Sequence, residues 1–372
     1  MEFNHSHPMK VIVFVNTSWN IYNFRSGLIR ALQKAGYEVH AMAPEDDYSL
    51  QLTAMGCVYH PVKMKNTGSN PLLDLDLIRR IYKLYSIIKP QVILHYTVKP
   101  NIYGTMVAKW LQIPSISTVT GLGTVFLTSG KTNRIARYLY RRAFRYPQKI
   151  YFHNQSDLDA FRELKLLTKS NYDLIPGSGI DTVRFSPELP PPKRPPFIFL
   201  MMARLIEEKG IREYIEAAAI IRNEGLSVRC QLLGALAPDH KRGIPIEGIS
   251  LGQIEYLGET TDVRKYINKS HAVVLPSYRE GLSRSLLEAA AMAKPIIASD
   301  VPGCKEVVKD QINGLLCKPG NATDLGEKMK KMQSLSSGQL EKMGNAGRSL
   351  VLEHFAEDRV IKIYLNTIKN IA

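Results

Sequence analysis

Short β-branched runs alternate with amphipathic helical stretches along almost the whole chain, and this alternation restricts its fold more than any other feature. KVIVFVN leads into IYNFRSGLIRALQKAGYEVHAMAP, a helical pattern that stops at Gly36 and gives way to a second strand. That is one βαβ unit. PQVILHY, PSISTVT, KIYFHN and YDLIPGS follow as apolar runs with helix-like segments between them, the pattern of parallel strands buried on both faces. FIFLMMAR, SVRCQLLG, IEYLG, AVVLPS, KPIIASD and GLLCK then repeat it. The chain therefore reads as α/β, with two doubly wound halves.

Between them lies SPELPPPKRPP, whose prolines can continue neither a helix nor an internal strand, so the segment is expected to be extended and exposed. A length of 372 residues suits two domains better than one core. The expected organisation is a first domain over 9–185, a linker over 186–196, a second domain over 197–347 and a final helical stretch over 348–372. Two such domains on one linker should face a central cleft, and open parallel sheets bind ligands at the carboxyl ends of their strands.

Apolar residues at 45% and charged residues at 22% exclude a disordered chain or a coiled coil. Lys and Arg total 49 against 34 Asp and Glu, and a formal charge of +15 points to an anionic partner. Nucleic acid, anionic lipid and phosphorylated small molecules all qualify. Cys57, Cys230, Cys304 and Cys317 are far apart, which suggests neither a zinc cage nor a disulfide framework and fits a reducing cytosol. No apolar run nears the ~18 residues of a membrane-spanning helix, and MEFNHSHP lacks the hydrophobic segment of a signal peptide. The first strand pattern begins only after Met9 and Lys10.

In LPSYREGLSRSLLEAAAMAKPIIASD, a strand is predicted over 272–277 and a helix over 283–293, with Glu280 in the loop between and Glu288 inside the helix. The N–H groups near Leu282, Ser283 and Arg284 favour an anion such as phosphate. Carboxylates beside a phosphate are tolerable when hydroxyl donors occupy them, so a sugar nucleotide would satisfy both features together. The alternative is a plain capping box, since Ser285 and Glu288 have S-x-x-E spacing. Arg204 and Lys209 in MMARLIEEKG follow the first strand of the second half. They could neutralise a diphosphate, or simply form a solvated loop paired with Glu207 and Glu208.

Together, EGLSRSLLE resembles the E-x7-E motif of glycosyltransferase family 4, ARLIEEKG its Arg and Lys donor-phosphate motif, and PGSGIDTVRFSP its segment before the linker. The resemblance runs in register from Met9 onward. It implies the GT-B fold of two Rossmann-like domains and a retaining reaction in which the leaving phosphate helps deprotonate the acceptor. Carried over by position, Arg204 and Lys209 would hold the diphosphate, Glu280 the transferred sugar and Glu288 the ribose. Leu282 and Ser283 would offer backbone N–H groups, with Gly234, Ser277, Tyr278 and Gly281 also on the donor side. No metal or other cofactor is implied, and the final helix would cross back to the first domain.

SWNIYNFRSGLIRALQKAG, YTVKPNIYG and TVTGLGTVF are similar to bacterial N-acetylgalactosaminyl transferases that extend polyprenyl-diphosphate-linked sugars for surface polysaccharide or glycoprotein. That likeness implies a UDP-sugar donor, a polyprenyl-diphosphate-linked acceptor and a site on the cytoplasmic face of the inner membrane. Lys99, Thr120 and Gly121 become acceptor-side candidates, although Thr120 stands where many family members have His, and Arg25, after the first strand, is a candidate for an acceptor phosphate or for pairing with an acidic side chain. His95 and His153 read as packed residues rather than catalysts. The DLD copies at 74–76 and 157–159 read as helix starts rather than metal ligands.

TNRIARYLYRRAFRYPQK places Arg134, Arg137, Arg141 and Arg145 on one helical face, with Tyr138 beside them and Ala136, Tyr140 and Ala143 opposite. Arg79, Arg80 and Lys83 add a second basic cluster. Such stripes suit an anionic membrane surface and a polyprenyl diphosphate head group, or merely a solvated face. Two rival functions remain at this point, a UDP-sugar 2-epimerase and a basic nucleic-acid-binding protein. No nucleic-acid-binding motif accompanies the charge, so no nucleic acid is expected as partner.

Overall fold

The computed structural model describes residues 8–65, 70–122, 131–188, 195–238, 240, 242–245 and 254–371. The chain divides into two compact units, 1–179 with 357–372, and 180–356. Residues 189–194, the middle of the proline-rich linker, and residues 1–7 lie outside the described set.

The first unit runs β1 (Lys10–Phe14), α1 (Ser18–Lys34), β2 (Glu38–Ala43), α2 (Ser49–Ala54), β3 (Val58–Pro61), α3 (Pro71–Ile88) and β4 (Val92–Tyr96). A π-helical turn, Pro100–Gly104, leads into α4 (Thr105–Trp110), followed by β5 (Ser115–Val119), α5 (Lys131–Ala143), β6 (Lys149–Phe152), α6 (Gln155–Glu163) and β7 (Tyr172–Leu174). The seven strands form one parallel sheet in the order β3-β2-β1-β4-β5-β6-β7. β3 escaped the sequence reading because it is a short edge strand, with Val58 exposed and Pro61 at its end.

Local chemistry fixes the helix ends. Thr17 caps α1 by accepting from the Asn20 N–H, and Gly36 takes φ 87° where the chain turns into β2. Asn70 caps α3 by accepting from Leu72 and Leu73, Pro71 opens the helix, and Lys89 closes it in a left-handed conformation.

The second unit contains β8 (Phe197–Met202), α7 (Ile211–Asn223), β9 (Val228–Leu233), β10 (Glu255–Tyr256), α8 (Arg264–Lys269), β11 (Ala272–Leu275) and α9 (Arg284–Ala291). β12 (Ile296–Ser299), β13 (Gly314–Cys317), α10 (Ala322–Ser334) and α11 (Ser337–His354) complete it. Its six parallel strands are ordered β10-β9-β8-β11-β12-β13 around one apolar core.

α12 (Glu357–Ile371) belongs to the first unit. Val360, Tyr364 and Ile368 join the cluster of Ile21, Leu28 and Ile29 that covers one face of the first sheet. Tyr364 shares a 2.6 Å hydrogen bond with Thr118, and Thr367 one of the same length with Tyr151.

Two boundaries move from their sequence positions. The return begins at Glu357 rather than 348, because α11 stays with the second unit: a Cβ on Gly344 would lie 2.0 Å from the Ala293 carbonyl, and Arg348 donates to the Phe185 and Ala291 carbonyls. The first crossing falls after Gly179 rather than 185, because Ile180 bridges to Ala356 and donates its N–H to Phe355.

Candidate active site

From β8 the second sheet grows outward to β9 and β10, then returns to the other side of β8 with β11. β8 and β11 therefore flank its topological switch point, where open α/β sheets bind ligands. The loops that leave these two strands carry Arg204, Lys209 and Glu280.

The two loops are pressed together. A 3-10 turn, Glu207–Lys209, ends at Gly210 with φ 73°, and a Cβ there would sit 2.1 Å from the Pro276 carbonyl oxygen. The Tyr278 N–H donates to the Glu208 carbonyl. Across this seam Lys209 Nζ lies 2.5 Å from Glu280 Oε1, and Ser277 Oγ donates to the same oxygen at 2.7 Å. Both partners are largely enclosed, at 21% and 12% side-chain exposure. Convergence of both donors on Oε1 leaves Oε2 as the oxygen that neither engages. Arg204 is exposed and has no ion-pair partner among the described residues. Glu207 and Glu208 pair instead with Arg212 and Arg242, so the solvated-loop alternative for Lys209 does not hold.

The loop after β12 completes the setting of Glu280. Gly303 takes φ 83°, and a Cβ there would come within 2.5 Å of Glu280 Cβ. Glu280 N–H donates to Pro302, and Ser283 N–H donates to the Gly303 carbonyl at 2.9 Å. This corrects the expectation for Ser283: its backbone donor holds the loop instead of being offered to a diphosphate. Leu282 packs partly buried on the core, and Gly281 is half-buried between the two.

The cap of α9 is Ser283, whose side chain accepts from Leu286 N–H. Ser285 and Glu288 do not form a capping box, because the helix begins at Arg284 and places Ser285 inside it. Glu288 instead accepts from Arg284 Nε at 3.2 Å, one turn back. Burial pushes the Glu288 carboxyl above its ordinary range, and Arg284 and Arg184 draw it partly back.

Gly234, after β9, is needed for close approach: a Cβ would lie 1.8 Å from the Ala203 carbonyl oxygen, just before Arg204. Tyr278 donates its hydroxyl to Glu213 at 2.6 Å. Burial, then that carboxylate, push the phenol up to about 12.

In the first unit the acceptor-side candidates divide. Thr120 and Gly121 follow β5 at its carboxyl end, half-buried. Arg25 lies within α1, not in a strand-end loop, and is only 4% exposed. Its guanidinium stacks on Tyr96 at 4.0 Å and donates to Asn20, so a role gripping an acceptor phosphate from solvent is corrected to a packed one. Lys99 is paired with Asp74 at 2.7 Å, and Tyr103 donates to the other oxygen of that carboxylate at 2.9 Å.

His95 is fully buried within β4, bonded to Tyr85 and Thr105. Asp76 pairs with Arg80, Asp159 with Arg162, and Asp157 occupies the first turn of α6. Among the described residues no group of three His, Cys, Asp or Glu could hold a metal ion. Of the basic stripe, Arg134 and Arg141 are exposed on α5, and Arg137 is half-buried. Arg145 lies beyond the helix, which ends at Ala143 where Ala143 and Phe144 enter the core.

Two family models match this chain. Residues 184–350 match the one described as Glycosyl transferases group 1, and residues 10–154 the one described as Glycosyl transferase 4-like. The chain belongs to the family 4 glycosyltransferases. This glycosyltransferase is 28% identical to the N,N'-diacetylbacillosaminyl-diphospho-undecaprenol alpha-1,3-N-acetylgalactosaminyltransferase of Campylobacter jejuni, across 98% of this chain and 100% of that one. It is 25% identical to the UDP-Gal:alpha-D-GlcNAc-diphosphoundecaprenol alpha-1,3-galactosyltransferase of Escherichia coli, across 65% of this chain and 66% of that one. A solved glycosyltransferase from Rickettsia africae superimposes with a TM-score of 0.79 at 17% identity, covering 99% of each chain, and the fold is GT-B.

Within the glycosyltransferase, the 184–350 match contains Arg204, Lys209, Glu280 and Glu288 together. Sequence reasoning placed Ser277 on the donor side, where the structure bonds its hydroxyl to Glu280, and missed Gly303 as a part that aims Glu280 and Asp262 and Arg184 as charges acting on Glu288. The φ of Gly303 leaves no mark in sequence. Ser277, three residues before Glu280, was the one legible signal.

Proposed function

We propose that this glycosyltransferase is a retaining hexosyltransferase that forms an α linkage. It moves a sugar, GalNAc or another N-acetylhexosamine, from a UDP-sugar to a polyprenyl-diphosphate-linked saccharide in bacterial surface polysaccharide or glycoprotein glycan assembly. It works without a metal, as a peripheral enzyme on the cytoplasmic face of the inner membrane. The relatives named above, which by their names act on undecaprenyl-diphosphate-linked sugars, support this reading.

The observation that carries the donor half is the Lys209–Glu280 pair at the switch point of the second sheet, with exposed Arg204 in the same loop as Lys209. A departing nucleoside diphosphate gains charge as the sugar–oxygen bond breaks, and fixed cations stabilise that charge most where water is scarce. Arg204 supplies a planar fork, and Lys209 a point charge held in place by Glu280. Glu280 Oε2 accepts from hydroxyls of the transferred sugar, and Glu288 accepts from the ribose. Carboxylates so placed tolerate a nearby phosphate because hydroxyl donors occupy them.

The test is a thermal-unfolding screen against UDP- and GDP-sugars, since a ligand bound only by the native state raises apparent stability. A UDP-sugar should stabilise most, and the same donor should give product with a lipid-diphosphate saccharide but none without acceptor. Stabilisation by GDP-sugars alone, or turnover of the donor without acceptor, would refute the proposal.

A further inference from the structure

α3 and α5 cover the same face of the first sheet: Leu77, Ile81 and Tyr85 share one apolar cluster with Tyr140, Ala143 and Phe144. Both helices also flank the π-helical turn Pro100–Gly104. Their outer faces are unusual in two respects. Leu72, Leu73 and Leu75, in the first turns of α3, are 78%, 44% and 45% exposed, and Ile135 and Tyr138 on α5 are 54% and 61% exposed. The only carboxylates on the two helices are Asp74, buried against Lys99, and Asp76, bonded to Arg80 at 2.7 Å. The outer face of α3 carries exposed Arg79, Arg80 and Lys83, and α5 carries exposed Arg134, Arg141 and Arg142.

A leucine tip bordered by cations, with almost no free carboxylate, complements a surface that is apolar below and anionic above. An anionic bilayer has that profile. Nucleic acid would match the cations and leave the leucines in water. The tip is also rigid, because Asn70 caps its first turn and Asp74, in that same turn, is held by Lys99 and Tyr103.

We propose that the outer faces of α3 and α5 form the docking surface for an anionic lipid bilayer, Leu72, Leu73 and Leu75 entering the acyl boundary while Arg134 and Arg141 meet the head groups. This deepens the reading of a lipid-linked acceptor and rests on it for its purpose, but the geometry is that of the first unit alone. Docking through α3 also seats Lys99 relative to the membrane, since Asp74 on the inner side of that helix holds its ammonium.

The test is co-sedimentation of the full chain with vesicles of phosphatidylcholine, with and without phosphatidylglycerol. The protein should pellet with the anionic vesicles and about tenfold less with the neutral ones. The variant Leu72→Ser/Leu73→Ser/Leu75→Ser should lose about tenfold in binding with its unfolding temperature and its stabilisation by UDP unchanged. Arg134→Glu/Arg141→Glu should lose binding to a similar degree, which keeps the proposal open to test if the serine variant fails to fold. Leu50→Ser, at an 82% exposed leucine on α2, should bind as the parent does. Equal binding to both vesicle types, parental binding by both the serine and the glutamate variants, or equal loss in Leu50→Ser would overturn the proposal. Failure of UDP to stabilise the parent would count against the donor reading and leave the docking result standing.

Discussion

Lys209 Nζ lies 2.5 Å from Glu280 Oε1 although 71 residues separate the two in sequence. The contact joins the loops that leave β8 and β11, the two strands at the switch point. Lys209→Ala should therefore lower turnover by about a hundredfold or more, and leave Glu280 unpaired at a stability cost of about 1–3 kcal/mol. The double variant Lys209→Met/Glu280→Gln should recover most of the stability and none of the activity. Melting curves and initial rates on the three proteins check both statements.

Glu288→Gln should abolish transfer with the fold intact. Burial raises the folded carboxyl above its ordinary 4.5, so the unfolded chain releases that proton first and this group costs stability as pH rises through its folded pKa. The unfolding temperature of Glu288→Gln relative to the parent should accordingly be more favourable at pH 7 than at pH 4.5. A constant difference across that window would contradict the assignment.

Two imidazoles give the opposite sign. Burial lowers His95 and His153 from 6.5 to about 3, with Arg25 adding to the effect at His153. Between those values the unfolded chain binds more protons than the folded one, so stability is full above pH 6.5 and is lost as pH falls toward 3. The slope approaches about 1.4 kcal/mol per pH unit for each residue. Urea midpoints at pH 7 and pH 5 should show this loss, to which His40 and His60, also lowered by burial, add with the same sign, and His153→Gln should show a smaller loss than the parent.

Gly210→Ala should disturb the seam itself. The residue sits at φ 73°, and an added Cβ would lie 2.1 Å from the Pro276 carbonyl oxygen, so Lys209 must shift as the two loops part. Gly225→Ala is the matched control, at φ 79° with nothing within 4 Å of its Cβ, and should cost only the left-handed backbone term of about 1 kcal/mol. A large turnover loss in the first variant and near-parental turnover in the second is the expected result.

Apart from the exposed edge strand β3, the strands of both sheets were legible because parallel strands in the interior of a sheet read as unbroken apolar runs, and the chemistry-bearing loops follow them directly. What stayed hidden depends on contacts distant in sequence. Ser283 and Ser285 both stand near the start of α9, and only the backbone conformation makes Ser283 the cap. Arg25 reads as an exposed cation until Tyr96 is seen beneath its guanidinium. RSLVLEHF and AEDRVIKIYLNTIKNIA read as one helix, although the break at Phe355–Ala356 assigns them to different units.

The placement of α12 affects how the protein is made. The sheet face that receives Val360, Tyr364 and Ile368 is assembled from residues translated much earlier, and domains generally fold as units during synthesis, amino-terminal first. Here the amino-terminal unit cannot bury that face until residues 357–371 have emerged from the ribosome, by which time the other unit is already complete in the nascent chain. The amino-terminal unit is thus the last to mature, and an interrupted translation product would carry a bare apolar face.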